Sequence, residues 1–149
     1  MKLFQIEEPD GTPVDPGMPG AAIGIDVSGP QAVVAMAVGG NAVVLADREG
    51  FALDLTVPVP SAATQRWQEL FEKARLRAER ALARPVTHAV VAVAAGESAF
   101  RERLQQAMAA AGLAVLRLLP PEALPHDIAP ALAAAMLAED LAPPPAARP

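Results

Sequence analysis

Asp26, Ser28 and Gly29 are the residues of this chain best placed for chemistry, because they follow an apolar run, AIGI, that has the character of a buried strand. An aspartate beside serine and glycine often caps its own turn by accepting backbone hydrogen bonds. Two-metal phosphoryl chemistry would need further carboxylates that converge on Asp26, and the tip of the apolar run THAVVAVAA offers only Glu97 nearby. Ser28 has no neighbouring base to activate it. The residues alone therefore favour a capped turn over a nuclease centre.

Histidine and cysteine add little further chemistry. The chain contains no cysteine, which excludes disulfides, thiolate catalysis and cysteine-ligated metal sites. Its two histidines, His88 and His126, are too few for a metal site made of protein ligands alone. We expect His88 to make a structural hydrogen bond at the entry to a strand, and we assign no partner to His126. Trp67 lies on an apolar helical stripe and is predicted to be core.

Composition and charge narrow the range of partners. With 149 residues, 52% of them hydrophobic, the chain suits one packed domain. Twelve basic and seventeen acidic residues leave a net charge of −5, and without a basic cluster we expect no nucleic acid partner. The longest apolar run, residues 89–95, is far shorter than the roughly 20 residues of a membrane-spanning helix. Because the N-terminal segment lacks the apolar core of a signal peptide, we predict a cytoplasmic protein with no membrane partner.

Apolar and β-branched runs predict the strands. The run at 87–95 has no polar alternation after His88, which is typical of a central strand covered on both faces. Gly39 and Gly40 can adopt the positive φ angles of a tight hairpin. Residues 51–59 alternate, so they could extend the third strand or add a sheet edge. The predicted strands are 22–27, 32–38, 42–46, 87–95 and 113–119.

Apolar stripes at helical spacing predict three helices. The first spans 61–83 with Ser61 as its N-cap, the second runs from an N-cap at Ser98 to a left-handed end at Gly112, and the third covers about 128–141. Arg101 and Arg103 are predicted to lie on the outward, polar face of the second helix.

The element order β-β-β-α-β-α-β-α predicts an α/β fold, with a mixed five-stranded sheet that carries helices on both faces. That is the ribonuclease H-like arrangement. We predict an extended, proline-containing arm at 1–20, one lobe at 21–141, and a tail rich in proline and alanine at 142–149.

Three pieces of the chain resemble, in the right order, the first lobe of the ATPase domain of the seventy-kilodalton heat-shock chaperones, within the actin-like ATPase superfamily. Together they span about two-thirds of the domain, and the resemblance implies common descent and a ribonuclease H-like, actin-like ATPase lobe. The pieces are IGIDVSGPQAVVAMAVGGNAVVLADREG at 23–50, similar to the opening phosphate hairpin, PVTHAVVAVAA at 85–95, similar to the central strand, and AGLAVLRLLPPEA at 111–123, similar to the strand before the family's Asn-Glu-Pro-Thr turn.

The resemblance implies a phosphate- or nucleotide-binding role for Asp26, Ser28 and Gly29, with Asp26 reaching a metal ion only through water. The family's motif is similar to Asp-Leu-Gly-Thr-Thr, in which small residues and hydroxyls approach the phosphates. Here Gly29 and Pro30 take the two threonine positions. Pro30 has neither a hydroxyl nor an amide hydrogen, so the resemblance implies a degenerate phosphate loop.

Further departures concern the rest of the family's catalytic apparatus. Ala94 stands where the family has a proline at the strand tip, and Pro120 and Pro121 stand where it has Asn-Glu. The insertion that carries the family's catalytic lysine has no counterpart before the first long helix, and these 149 residues do not include a second lobe. We therefore expect no unaided ATP hydrolysis.

These observations leave three functional hypotheses open. The first is a non-catalytic, chaperone-ATPase-like interaction module that needs no cofactor and either forms a homodimer or docks to a partner protein. The second keeps a ligand role for Asp26, Ser28 and Gly29, which would bind ATP or ADP with Mg²⁺ in a site completed by a second subunit. The third is a divergent ribonuclease H-like nuclease.

Overall fold

The computed structural model describes residues 20–47, 52–94 and 96–143. Strands and helices follow one another there in the predicted order. The elements are β1 (Ala21–Asp26), β2 (Val33–Val38), β3 (Asn41–Leu45), α1 (Thr64–Leu82), β4 (Val86–Ala92), α2 (Ser98–Ala110), β5 (Ala114–Leu119), a short 3-10 turn at Pro121–Ala123, and α3 (Pro130–Leu141). The predicted arm and tail lie outside the described residues, apart from Gly20, Ala142 and Pro143.

The strands form one mixed five-stranded sheet in the order β3-β2-β1-β4-β5. Strand β2 is antiparallel to both β1 and β3, whereas β4 is parallel to both β1 and β5. The prediction of an α/β fold with a mixed five-stranded sheet is therefore confirmed. Because β1 and β4 are parallel neighbours, their carboxyl ends lie side by side at the same end of the sheet, where Asp26 pairs with Ala92.

Helices cover both faces of the sheet. Ile23, Ile25 and Val91 belong to the core on the side of α1 and α2, while Val90 and Ala92 belong to the core on the side of α3. Successive residues of a strand point to opposite faces, so a strand buried on both faces has to be apolar throughout. This is why β1 and β4 read as continuous apolar runs.

Gly24 allows α3 to lie directly on β1. A Cβ atom at residue 24 would stand 2.3 Å from the Ala135 nitrogen and 2.7 Å from the Ala131 carbonyl oxygen. The facing side of α3 is built from small residues that are buried against the sheet, namely Ala131, Ala133, Ala134, Ala135 and Ala138. The core on this face is therefore thin, and backbone packs close to backbone.

The two predicted serine N-caps are wrong. Helix α1 begins at Thr64 behind an Ala63 that makes no side-chain cap bond, and Ser98 is the first residue of α2 rather than its cap. Ser61 lies in a turn closed by the hydrogen bond from Ala62 N to Val59 O, 2.9 Å long. This turn ends before the helix can begin, which explains the displaced start.

The predicted ends of α2 and of the hairpin are confirmed. Gly112 has a φ of +88°, and the amides of Gly112 and Leu113 donate to the carbonyls of Ala109 and Met108, which is a Schellman motif. Gly39 and Gly40 have φ angles of +61° and +83°. Both of their amides donate to the carboxylate of Glu139, which ties the β2–β3 turn to α3.

The alternating segment at 51–59 is not a strand where it is described, from residue 52 onward; it makes only an isolated bridge between Gln31 and Thr56. Thr56 donates from both its amide and its hydroxyl to Asp54 Oδ1, at 3.0 and 2.6 Å, and this local turn interrupts the extended backbone. Leu53, Leu55 and Val57 still pack on the core, and Leu55 is buried.

An ion pair holds this segment to α1. The Arg77 guanidinium donates to both carboxylate oxygens of Asp47, at 3.1 and 2.8 Å, and the amide of Leu53 donates to the same carboxylate at 2.6 Å. Asp47 therefore joins the end of β3, the following segment and the helix.

Candidate functional site

The loop after β1 is closed by bonds among its own residues. Asp26 Oδ1 accepts hydrogen bonds from the amide of Ser28 at 2.9 Å and from its hydroxyl at 2.6 Å. The amide of Val27 donates to Ala92 O at 2.8 Å, which ties the start of the loop to the end of β4. This is the capped turn that the sequence favours for Asp26 and Ser28.

Two of the three residues proposed to bind phosphate thus bond to each other. The third, Gly29, is exposed, and a Cβ atom there would meet nothing within 4 Å. Pro30 has no amide hydrogen to donate, and its carbonyl accepts from Val57 N at 2.9 Å. In this loop the amide and the hydroxyl of Ser28 therefore both bond to Asp26, and Pro30 offers no donor.

The acid and histidine candidates do not assemble into a metal or nuclease centre. No group of three or more histidine, aspartate or glutamate side chains that could hold a metal ion occurs among the described residues. Glu97 is exposed. His88 Nδ1 lies 2.7 Å from the hydroxyl of Thr87 in a half-buried contact, in agreement with a structural role, while His126 is exposed in a turn.

An open, largely apolar cavity of about 620 Å³ lies beside the loop, at the carboxyl ends of β1 and β4. We call it the strand-end cavity. Ser28 and Gly29 line it, but Asp26 does not. Its other lining residues are Val27, Val57, Pro58, Val59, Pro60, Ser61, Trp67, Val93, Ala94, Gly96, Glu97, Phe100 and Arg103.

Two aromatic side chains form one wall of the strand-end cavity. Trp67 on α1 and Phe100 on α2 meet edge to face, with ring centroids 5.5 Å apart and an interplanar angle of 67°. Trp67 is only 2% exposed, as predicted for a core residue. The sequence places each ring on an apolar stripe, but nothing in their separate stripes signals that the two meet at a cavity.

Arg103 fixes the rim of the cavity, which corrects its assignment to an outward face. Its guanidinium donates to Pro60 O at 2.9 Å and to Ala62 O at 3.2 Å, and it lies 5.5 Å from the centre of the Phe100 ring. Arg101 also turns inward, donating to Leu118 O at 2.6 Å. A long basic side chain can cover apolar surface with its stem while its head bonds to backbone, which polarity alone does not reveal.

Two carboxylates with altered acidity lie outside the cavity. The hydrogen bonds from Arg77 lower the pKa of Asp47 from its ordinary 3.8, and those from Thr56 lower the pKa of Asp54. Neither residue lines the strand-end cavity. Both groups therefore have structural explanations and are not candidates for acid–base catalysis.

No helix in the described part of the chain is long and apolar enough to cross a membrane. No protein-family model matches the sequence, and a search of the curated proteins finds no match.

Proposed function

We propose that this chain is a non-catalytic protein-interaction module that self-associates through the edge of its sheet, on a fold related to the first lobe of the chaperone ATPases. The strand order β3-β2-β1-β4-β5, with α3 on the face opposite α1 and α2, supports the ribonuclease H-like part of this proposal. The self-bonded turn at Asp26 and Ser28 supports its non-catalytic part.

The observation that carries the proposal is a set of exposed valines on the β2–β3 hairpin. Val38, Val43 and Val44 are 66%, 60% and 48% exposed, and we call them the hairpin valines. Strand β3 lies at an edge of the sheet, and its sequence, NAVVL, contains no charged residue and no proline. Proteins normally protect such edges with charges, prolines or bulges because the free backbone groups pair readily with another strand.

A second copy of the chain suits this edge. Two β3 strands paired antiparallel about a two-fold axis would satisfy each other's free backbone groups, and the same surface would serve on both copies. Pairing centred on Val43 would set this residue opposite its own copy on the face of the sheet that bears α1. The absence of charge along β3 means that no like-charge repulsion opposes the pairing within the strand.

Light scattering tests the proposal through the mass of the protein in solution. We expect twice the chain mass for the wild type and the single chain mass for Val43→Lys, because a charge at the centre of the edge opposes pairing. Leu76→Lys is the matched control: this residue is also a partly exposed apolar side chain, but it lies on α1, and the variant should keep the wild-type mass.

The same measurement with magnesium ATP separates the alternatives. A wild-type dimer that does not respond to the nucleotide fits the interaction module. A monomer that assembles only with magnesium ATP would favour the nucleotide-binding hypothesis for Asp26, Ser28 and Gly29, in a site shared between subunits. A monomer at every concentration, with or without nucleotide, would contradict self-association through β3.

A further inference from the structure

The strand-end cavity has the size and lining of a small-molecule site. Its volume of about 620 Å³ lies within the range of roughly 300–1,000 Å³ that is typical of ligand pockets. Valines, prolines and the Trp67–Phe100 pair provide most of its wall. It lies at the carboxyl ends of β1 and β4, whereas the hairpin turn lies at the opposite end of β1, so this site is separate from the hairpin valines.

Trp67, which lines the cavity, carries an unexplained polar group. Its indole nitrogen is buried and has no hydrogen-bond partner in the described part of the structure. Buried donors are nearly always satisfied, so an orphaned one in a native protein needs an explanation. The carbonyls of Pro60 and Ala62 at the nearby rim already accept from Arg103. An acceptor supplied by a bound molecule would account for the free N–H.

Arg103 supplies a cationic hydrogen-bond donor that suits an anionic acceptor. Arg103 brings a guanidinium to the wall, and this group carries more N–H donors than its two bonds to Pro60 and Ala62 use. Glu97, the acidic residue of the lining, is exposed before the start of α2. An aliphatic tail would contact the valines and the aromatic wall.

We propose that the strand-end cavity binds a small carboxylate with an apolar tail, whose oxygen accepts the hydrogen bond of the Trp67 indole. The nitrogen has no contact with solvent, so binding requires a local movement of the cavity wall that brings the ligand oxygen to it.

The chain offers its own reporter for binding, because Trp67 is its single tryptophan. We would titrate octanoate, below the concentration at which it forms micelles, and follow the fluorescence of Trp67. A saturable change is expected with octanoate and not with octylamine, which has the same tail but a cationic head. Equal responses to both compounds, or none to octanoate, would overturn the proposal.

Two variants test the assigned contacts by calorimetry. Trp67→Phe keeps an aromatic ring but removes the donor, so octanoate affinity should fall about five- to tenfold, the effect of one hydrogen bond. Val59→Glu adds a negative charge at an exposed position, where the fold tolerates it, and should weaken octanoate at least as much. If Trp67→Phe fails to fold, Val59→Glu alone decides. Wild-type affinity in Val59→Glu, or in a folded Trp67→Phe, would contradict the site.

Val43→Lys is the control that separates this proposal from self-association. The substitution lies on the hairpin, away from the cavity lining, so octanoate affinity should stay at the wild-type value even where the solution mass falls. A variant that loses octanoate binding together with its dimer would contradict a cavity complete within one chain.

Discussion

At the scale of single residues, the absence of a side chain at Gly24 determines how closely α3 approaches the sheet. Gly24→Ala would place a methyl carbon 2.3 Å from the Ala135 nitrogen. Since the clash is with helix backbone, a change of rotamer cannot relieve it. We expect the free energy of unfolding to fall by about 3 kcal/mol or more, at the upper end of overpacking effects, in urea titrations followed by circular dichroism.

Gly29→Ala is the matched control for that substitution. A Cβ atom at residue 29 would meet nothing within 4 Å, and the φ of Gly29 lies outside the left-handed region. The free energy of unfolding of Gly29→Ala should stay within about 0.5 kcal/mol of the wild type. Equal stability of the two variants would show that α3 does not rest on β1 as described.

At Ala83 the expected effect is the opposite, because glycine should stabilise the protein at this position. It ends α1 with φ +55° and ψ +40°, the left-handed conformation that is costly for alanine. Ala83→Gly removes this cost but frees the unfolded chain, so we expect a net gain of up to about 1 kcal/mol in thermal or urea unfolding. Ala81→Gly, in the last turn of the helix, should instead lose up to about 0.5–1 kcal/mol. A loss of the same size at both positions would contradict the left-handed cap.

At the scale of elements, the Asp47–Arg77 pair makes the attachment of the segment around Leu53 to α1 sensitive to pH. The pKa of Asp47 lies below its unfolded value of 3.8, so its contribution to stability is complete above about pH 5 and is lost as the pH falls through the folded pKa. Asp47→Asn should lower the free energy of unfolding by about 2 kcal/mol at pH 7, because the Arg77 charge and the Leu53 amide lose their acceptor.

The pH dependence provides the check on this prediction. We would measure the free energy of unfolding in urea at pH 7 and at pH 3. The difference in this free energy between wild type and Asp47→Asn should be smaller at pH 3. Asp140→Asn changes the same charge at an exposed position of α3 and should have little effect at either pH. A constant difference between wild type and Asp47→Asn would mean that the carboxylate charge is not what holds the segment.

The elements that could be predicted are those whose signal is local. Strands β1 and β4 are apolar throughout because both of their faces are covered, and the Gly39-Gly40 turn and the Gly112 helix end follow from positive φ angles. The start of α1 could not be predicted from Ser61, because a turn closed by Val59 competes with the cap. Local propensity names the candidates for a cap, but the surrounding backbone decides among them.

The strand-end cavity could be predicted only in part. The capped turn at Asp26 and Ser28 could be predicted, since an aspartate two residues before a serine can accept hydrogen bonds from its amide and its hydroxyl. Trp67 and Phe100 come from different helices, and only the packing of α1 on α2 brings them together. The inward turn of Arg103 depends on that same packing, so its charge misleads a prediction made from one helix at a time.

At the scale of the whole molecule, self-association ties stability to concentration. If the folded chain pairs through β3 and the unfolded chain does not, mass action raises the unfolding temperature as protein is added. We expect a rise of roughly a few degrees for each tenfold increase in wild-type concentration. The unfolding temperature of Val43→Lys should not depend on concentration, and parallel behaviour of the two proteins in calorimetry would contradict an interface at this strand.

The bonds from Gly39 and Gly40 to Glu139 also bear on the order in which the protein can mature during synthesis. The hairpin is translated before α3, and the carboxylate that holds its turn lies about a hundred residues later. Contacts so distant in sequence form late and slowly. Until α3 has been translated, the hairpin carries its uncharged edge and an uncovered second face. The face of the hairpin that α3 covers is therefore open to contact with other nascent chains until α3 has formed.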